Sequence, residues 1–178
     1  AEAKELLLRA VGEYPHNLGE GKLESGQENN LYYLLGLVQE KLGEAKDAFE
    51  SLTRACCGES EPVGMMYYND QPPEMIYYQG LAYRMLGEEE QAVRRFQKLV
   101  DYGREHIRDD VKIDYFAVSL PDLLIFEENL NERNRKHCLF MMSLGLKGLG
   151  RIDEAEKCAE ELLAICLLYT SPSPRDLS

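Results

Sequence analysis

Apolar residues recur at helical spacing along this chain, in stretches that are paired around a glycine. In residues 29–55, for example, Tyr32, Leu35 and Val38 precede Gly43, and a second apolar set follows it. Steps of three and four residues place apolar side chains on one face of a helix, and a glycine just beyond them can adopt the positive φ that ends a helix. The pattern therefore predicts a helix, a short turn and a second helix antiparallel to the first.

The same order of small and large residues occurs three times. Each unit has a small residue in its first helix, a turn glycine, and then two residues of the second helix; the sets are Gly36, Gly43, Ala48 and Leu52; Gly80, Gly87, Ala92 and Phe96; and Ser143, Gly150, Ala155 and Ala159. Small residues allow two helices to approach closely, and large ones fill the space beside them. A single pair of helices cannot bury its apolar face alone, so we expect the units to stack.

This order resembles the tetratricopeptide repeat. The resemblance implies an all-α fold, namely a tetratricopeptide-like solenoid of antiparallel helix pairs with long inserts. It covers a half unit at 1–15 and units at about 29–57, 74–102 and 136–165, which leaves inserts at 16–28, 58–73 and 103–135. The small residues of the second helices are Ala3, Ala48, Ala92 and Ala155, and they lie 45, 44 and 63 positions apart. The period of the family is about 34 residues. The family usually has an aromatic residue at one position of the first helix. Tyr83 occupies this position in one unit, whereas the other two units have Gln39 and Leu146 there.

The three inserts differ in character. The first is rich in Gly, Asn and Glu and predicts a polar loop, whereas Pro72–Pro73 in the second suits the start of a helix. The second also contains the apolar "VGMMYY" at 63–68, which could form a short helix. The third is too apolar for a linker, and we expect one or two short helices there, interrupted at Leu120–Pro121.

Two further stretches carry resemblances. "MYYNDQPPEMIYYQGLAYRMLG" at 66–87, together with the third insert, is similar to the C-terminal helical region of a family of large bacterial proteins of uncharacterised function. In that family a β-rich domain similar to carbohydrate-processing enzymes precedes the repeats, which implies that any catalytic domain lies upstream of Ala1. "CLLYTSPSPRD" at 166–176 resembles a translated sequencing adapter. We therefore expect the native chain to end near Ile165 and 166–178 to be an artefactual disordered tail, although Leu167–Tyr169 could extend the last helix.

Composition and charge narrow the class of partner. The 178 residues carry 20 Lys and Arg against 32 Asp and Glu, a net charge of −12, which argues against nucleic acid and anionic membranes as partners. No apolar run reaches the roughly 18–20 residues that span a bilayer. The five cysteines contain no CxxC pair, so we expect reduced thiols in a cytoplasmic protein without a metal or other cofactor. The chain begins without Met, inside a helical pattern and with no leader, and we expect it to be a fragment.

The sequence contains no catalytic motif. It lacks GxSxG, HExxH, the phosphate-binding loop and GxGxxG before a strand. The acidic pairs Asp109–Asp110 and Glu127–Glu128 are adjacent in the chain, so their side chains point in different directions and fit solvated surface or helix caps better than an acid–base pair. We expect no enzymatic activity in this fragment.

The tetratricopeptide resemblance implies that the first helix of each unit lines a concave surface. Positions flanking the packing residues there are the candidate binding residues Asn30, Tyr33, Tyr77, Arg84, His137 and Lys147. Asn30, Arg84 and Lys147 could hold a peptide's backbone or carboxylate. The tyrosines either line a groove for a ligand or pack between helices, and in a pair such as Tyr32–Tyr33 one tyrosine should face the core and the other should not.

The expected function is a protein-interaction or scaffolding module at the C-terminus of a larger bacterial protein, with a protein or peptide as partner. The alternative is an accessory helical region that packs on an upstream, carbohydrate-active domain of the same chain. An interaction module should present an open groove. An accessory region should expose an apolar patch near Ala1 or on the insert "KIDYFAVSLPDLLIF" at 112–126.

Overall fold

The computed structural model describes residues 2–12, 27–64, 70–111 and 129–170, and of 167–170 only the helical backbone. These residues form seven helices and no strand: α1 (Glu2–Gly12), α2 (Asn29–Lys41), α3 (Ala45–Ala55), α4 (Pro73–Met85), α5 (Glu89–His106), α6 (Leu130–Gly148) and α7 (Ile152–Thr170). The predicted all-α helical repeat fold is confirmed. None of the described helices combines the length and hydrophobicity that crossing a membrane requires.

Three glycines end the first helix of the three hairpins, as the sequence predicts. They have positive φ, at 79° for Gly43, 81° for Gly87 and 76° for Gly150. In the first turn the Gly43 N–H donates to the Glu40 carbonyl and the Glu44 N–H donates to the Gln39 carbonyl, both over 3.0 Å. The other two turns repeat both hydrogen bonds. This arrangement satisfies carbonyls at the helix end and turns the chain back within a few residues.

Small residues bring the two helices of the first and second hairpins together. A methyl group on Gly36 would come within 2.7 Å of Leu52 Cγ, and one on Gly80 within 2.7 Å of Phe96 Cζ. Both distances lie well inside van der Waals contact, so only glycine permits this spacing beside a large side chain. Phe96 itself has no exposed surface.

In the third hairpin the closest approaches involve residues that the repeat pattern did not single out. Ser143 is only half-buried, and its hydroxyl donates to the Phe140 carbonyl over 2.8 Å. The tight contacts of α6 are made towards α5, where a methyl group on Gly145 would lie 2.5 Å from the Phe96 carbonyl oxygen and one on Gly148 2.5 Å from Phe96 Cε1. Phe96 is therefore held by glycines of both α4 and α6.

The helices lie in two layers. Cα atoms of α2 and α4, and of α4 and α6, come within 8 Å of one another, whereas no two of α1, α3, α5 and α7 do so. Each of these four instead packs on the flanking members of the α2–α4–α6 row. Neighbours are closer on the inside of a curved stack, so α2, α4 and α6 form the inner layer and the other helices the outer layer.

The helix bounds differ from the predicted unit boundaries in the third insert. Helix α5 continues to His106, and its last turn packs closely on α6. The approach is so close that a methyl group on Gly103 would lie 2.5 Å from Met142 Cγ. Helix α6 begins at Leu130, where the Asn129 side chain accepts hydrogen bonds from two N–H groups of the first turn. Such a cap favours a helix start.

At the end of the described chain, Leu167–Tyr169 extend the last helix, which is one of the two possibilities that the sequence left open. Helix α7 continues to Thr170, so the first residues after Ile165 are helical. Most of the first insert, residues 65–68 of "VGMMYY", the interruption at Leu120–Pro121 and the tail from 171 onward lie outside the described residues.

Candidate functional site

Three tyrosines form a continuous aromatic patch on the inner layer. The Tyr33 ring of α2 lies 5.5 Å from the Tyr78 ring of α4, which lies 5.9 Å from the Tyr77 ring. All three are half-buried. In α4 only Tyr77 of the pair Tyr77–Tyr78 packs against a core cluster, as expected. In α2 both Tyr32 and Tyr33 pack against one cluster, because consecutive helical residues are about 100° apart and both can flank a helix–helix contact. We call Tyr33, Tyr77 and Tyr78 the tyrosine patch.

Burial favours the neutral hydroxyl form of Tyr33 and Tyr77. It raises the pKa of Tyr33 and of Tyr77 above the usual value, and for Tyr33 the neighbouring Tyr78 and the Glu40 carboxylate act in the same direction. A neutral phenol both donates and accepts hydrogen bonds, and its ring offers apolar area. Tyr33 and Tyr77 can therefore contact a partner through ring faces and hydroxyls without carrying charge.

Arg84 lies beside the patch, and each of its three nitrogens already makes a hydrogen bond within the chain. Its Nε and Nη2 atoms bind Glu89 over 2.9 and 2.7 Å, and its Nη1 donates to the Gly148 carbonyl over 2.9 Å. The guanidinium carbon also lies 4.9 Å from the centre of the Phe96 ring. The side chain thus links the second hairpin to the end of α6.

The two outermost polar candidates remain near the surface. Asn30 is half-buried at the start of α2, and its side-chain oxygen accepts from the Leu31 N–H over 2.9 Å. Lys147 is exposed near the end of α6. Because Asn30 belongs to α2 and Lys147 to α6, these two side chains lie on opposite edges of the inner layer.

His137 of α6 is covered by the chain itself. Its Nε2 atom lies 2.7 Å from the Val63 carbonyl oxygen, and since a carbonyl only accepts, Nε2 carries the hydrogen. Burial lowers the pKa of His137 below the usual value, so the ring is neutral near pH 7. Val63 belongs to the chain between α3 and α4, and residues 57–64 of this chain are called the bridging segment.

Helices α4 and α5 also hold the bridging segment. The fully buried Gln79 amide donates to the carbonyls of Cys57 and Glu59 over 3.1 and 2.9 Å. Lys98 of α5 pairs with Glu61. Sequence reasoning missed Tyr78 and Gln79. Gln79 stands three residues after Ile76 on an apolar face, where a polar residue signals a buried hydrogen bond.

The described residues offer no metal centre. No group of three or more His, Cys, Asp or Glu side chains among them is placed to hold a metal ion. All five cysteines are free thiols, and burial raises the pKa of Cys56 to about 12 and that of Cys138 to about 11. These two thiols stay protonated near pH 7 and are poor ligands and nucleophiles.

Comparison with protein families gives a match to the second hairpin. A family model described as tetratricopeptide repeat matches residues 74–102, which lie in α4 and α5. These residues hold Gly80, Gly87, Ala92 and Phe96, whose packing is described above. No solved structure matches the chain.

Proposed function

Starting from a tetratricopeptide repeat in α4 and α5, we propose that the protein binds a segment of another protein along its inner layer, centred on the tyrosine patch. Tetratricopeptide repeats are generally protein-interaction or scaffolding modules, and α4 supplies two of the three tyrosines. The observation that carries the proposal is the continuity of the three rings across two neighbouring helices. Tyrosine is enriched at the centres of protein interfaces, because its ring offers apolar area and its hydroxyl can form a hydrogen bond.

The other candidate residues take different parts in this proposal. Asn30 and Lys147 contact the partner at the two edges of the inner layer, through an amide and a positive charge. Arg84 and His137 hold the surface in place through bonds within the chain, to Glu89, a helix-end carbonyl and the bridging segment. A partner then gains most of its binding energy from the rings and its register from the edges.

Affinity capture with matched variants tests the proposal. The 178-residue chain serves as bait in a bacterial extract, and quantitative mass spectrometry compares wild type with Tyr33→Ala and Tyr78→Ala. We expect both variants to lose the partners that the wild type retains. A purified partner should bind each variant about tenfold or more weakly, since central interface aromatics contribute about 2 kcal/mol or more.

Phe49→Ala is the matched control, because Phe49 is an aromatic of the outer layer with 62% of its surface exposed. It should recover the same partners as the wild type. Thermal melts exclude unfolding as the cause of any loss. Equal recovery by wild type and both tyrosine variants would contradict the proposal.

A second candidate function is favoured by helix α1. None of its residues is buried, and Leu6 and Leu8 are 56% and 45% exposed. These exposed leucines suit packing against an upstream, carbohydrate-active domain of a larger bacterial protein, with the native chain ending near Ile165. The free cysteines support a cytoplasmic location for that protein. Hydrogen exchange of α1 tests this: its amides should be slower when the preceding part of the reading frame is expressed with the chain, and unchanged exchange rejects the idea.

A further inference from the structure

The hydroxyl groups of the tyrosine patch are unused within the part of the chain that the structure describes. Tyr33, Tyr77 and Tyr78 make no hydrogen bond to any described residue, and none of their hydroxyl oxygens is a buried atom without a partner, so all three reach solvent. Burial raises the pKa of Tyr77, and Tyr33 and Tyr78 act in the same direction, which shows that the hydroxyls lie near one another. The patch therefore presents a group of free hydrogen-bond donors.

The surface under these hydroxyls offers few acceptors to a partner's N–H groups. The three tyrosines stand inside α2 and α4, ahead of the last turn of each helix. Every backbone carbonyl there accepts a hydrogen bond from an N–H of its own helix, so only side-chain oxygens remain as acceptors. A partner N–H that is buried against the rings loses its bond to water, and this loss weakens binding. The patch therefore favours a partner backbone with free carbonyls and few N–H groups.

This requirement separates the backbone conformations that a partner segment can adopt. In an α-helix the carbonyls are bonded internally, apart from those of the last turn. An extended strand has free carbonyls but also carries an N–H at every residue other than proline. A polyproline II helix has no internal hydrogen bonds, and each proline lacks the N–H. A proline-rich segment in this conformation can accept from the tyrosine hydroxyls without burying unsatisfied donors.

The spacing of the inner helices matches the same conformation. Packed helices lie about 8–10 Å apart, and one turn of polyproline II, three residues, advances about 9 Å. Tyr33 of α2 and Tyr77 of α4 occupy the same repeat position, 44 residues apart, and Phe140 of α6 occupies it 63 residues later. All three are half-buried, and Tyr77 packs against the same core cluster as Leu144 of α6. Every third residue of the segment can therefore meet an aromatic side chain of the next inner helix.

The arrangement of the rings also fits proline. The Tyr33 and Tyr78 rings, 5.5 Å apart, are inclined by 49°, and the Tyr78 and Tyr77 rings, 5.9 Å apart, by 67°. Inclined rings form ridges, and proline-rich segments dock between aromatic side chains in this way. The polyproline II helix is already formed in the free segment, so little conformational entropy is lost on binding.

We propose that the segment bound at the tyrosine patch is proline-rich and lies in the polyproline II conformation across α2, α4 and α6. The inference rests on the proposed function, because it names the occupant of the same surface. Residues spaced by three contact Tyr33, Tyr77 and Phe140 in turn, and carbonyls between them accept from the tyrosine hydroxyls. About nine residues, or three turns, cover the three helices.

Fluorescence polarisation with labelled peptides and the 178-residue chain tests this inference. The probe consists of three Pro-Pro-Leu repeats. One comparison peptide has alanine in place of every proline, and the other has Pro-Pro-Pro-Leu repeats, which break the spacing of three. We expect saturable binding of the probe below about 1 mM and binding of each comparison peptide that is about tenfold weaker. An alanine peptide that binds as tightly as the probe would overturn the inference.

Conservative variants test the hydroxyl groups separately from the rings. Tyr33→Phe and Tyr78→Phe remove hydroxyls that bind nothing in the described chain, so thermal melts should be unchanged, whereas probe binding should weaken about fivefold in each variant. Tyr33→Ala also removes the ring and should weaken probe binding about tenfold or more. Phe49→Ala, on the outer layer, is the matched control and should bind the probe as the wild type does. Phenylalanine variants that bind the probe as tightly as the wild type would reject the contact between hydroxyls and carbonyls.

The outcomes distinguish this inference from the proposed function. If partner capture depends on Tyr33 and Tyr78 but the probe does not bind, the partner segment has another conformation, and the inference is overturned while the proposed function stands. If neither partner capture nor probe binding depends on the tyrosines, both are rejected. Probe binding that persists unchanged in Tyr33→Ala would place the peptide elsewhere and overturn the inference.

Discussion

Replacing Gly80 by alanine should destabilise the protein, although alanine is the better helix former. A methyl group there would lie 2.7 Å from Phe96 Cζ and 3.0 Å from Cδ1. The ring has no room to withdraw, because it has no exposed surface and Gly148 of α6 approaches the same ring edge. The clash must therefore be relieved by separating helices that the whole second hairpin holds together.

The expected magnitude follows from two opposing terms. Alanine is favoured over glycine in a helix interior by about 1 kcal/mol. Overpacking a core costs about 1–3 kcal/mol, and the upper end applies here because the ring is enclosed by glycines of two helices. The net loss is about 2 kcal/mol in the free energy of unfolding, or a Tm lower by about 4–8 °C for a chain of this size.

Urea unfolding and thermal melts of the 178-residue chain measure this loss. Gly12→Ala is the matched control, since Gly12 is also helical and a methyl group there meets nothing within 4 Å. Phe96→Leu shortens the ring, so in combination with Gly80→Ala the total loss should be smaller than the sum of the two single losses. A Gly80→Ala protein as stable as wild type, or losses that simply add, would refute this account of the packing.

Two other predictions concern titration and reactivity. Burial lowers the pKa of His137 below its ordinary value of 6.5, so the unfolded chain takes up this proton at higher pH than the folded chain. The stabilisation from the neutral ring is present above about pH 6.5 and is lost as the pH falls. His137→Gln should therefore flatten the decline in unfolding free energy between about pH 7 and 5, and an unchanged slope contradicts this. Timed alkylation read by mass spectrometry tests the burial of the thiols. Exposed Cys57 and Cys166 should react first, and buried Cys56 and Cys138 should react only after unfolding. Early labelling of Cys56 would contradict its buried position.

Local signals in the sequence were sufficient for the hairpins. A turn glycine acts through its own φ and its neighbours' N–H groups, so Gly43, Gly87 and Gly150 could be recognised one unit at a time. The contacts between hairpins were harder to foresee. Gly145 and Gly148 face α5 of the preceding hairpin, and a search aligned on pairing within one unit has no reason to select them.

The candidate site divides in the same way. Tyr33 and Tyr77 were selected because the tetratricopeptide resemblance implies that the first helix of each unit lines the concave surface. That the Arg84 guanidinium binds Glu89 and the Gly148 carbonyl, and that His137 binds the Val63 carbonyl, depends on atoms 5, 64 and 74 positions away. Helical periodicity contains no information about such distant partners.

Periodicity, small residues and turn glycines act over a few positions, so the residues alone are sufficient to predict a stack of helical pairs and the place where each pair turns. The inward-facing helix of each pair was expected from the tetratricopeptide resemblance. Which polar side chains already have partners is visible only in the folded chain, because atoms far apart in the sequence meet there, as when Arg84 donates to the Gly148 carbonyl.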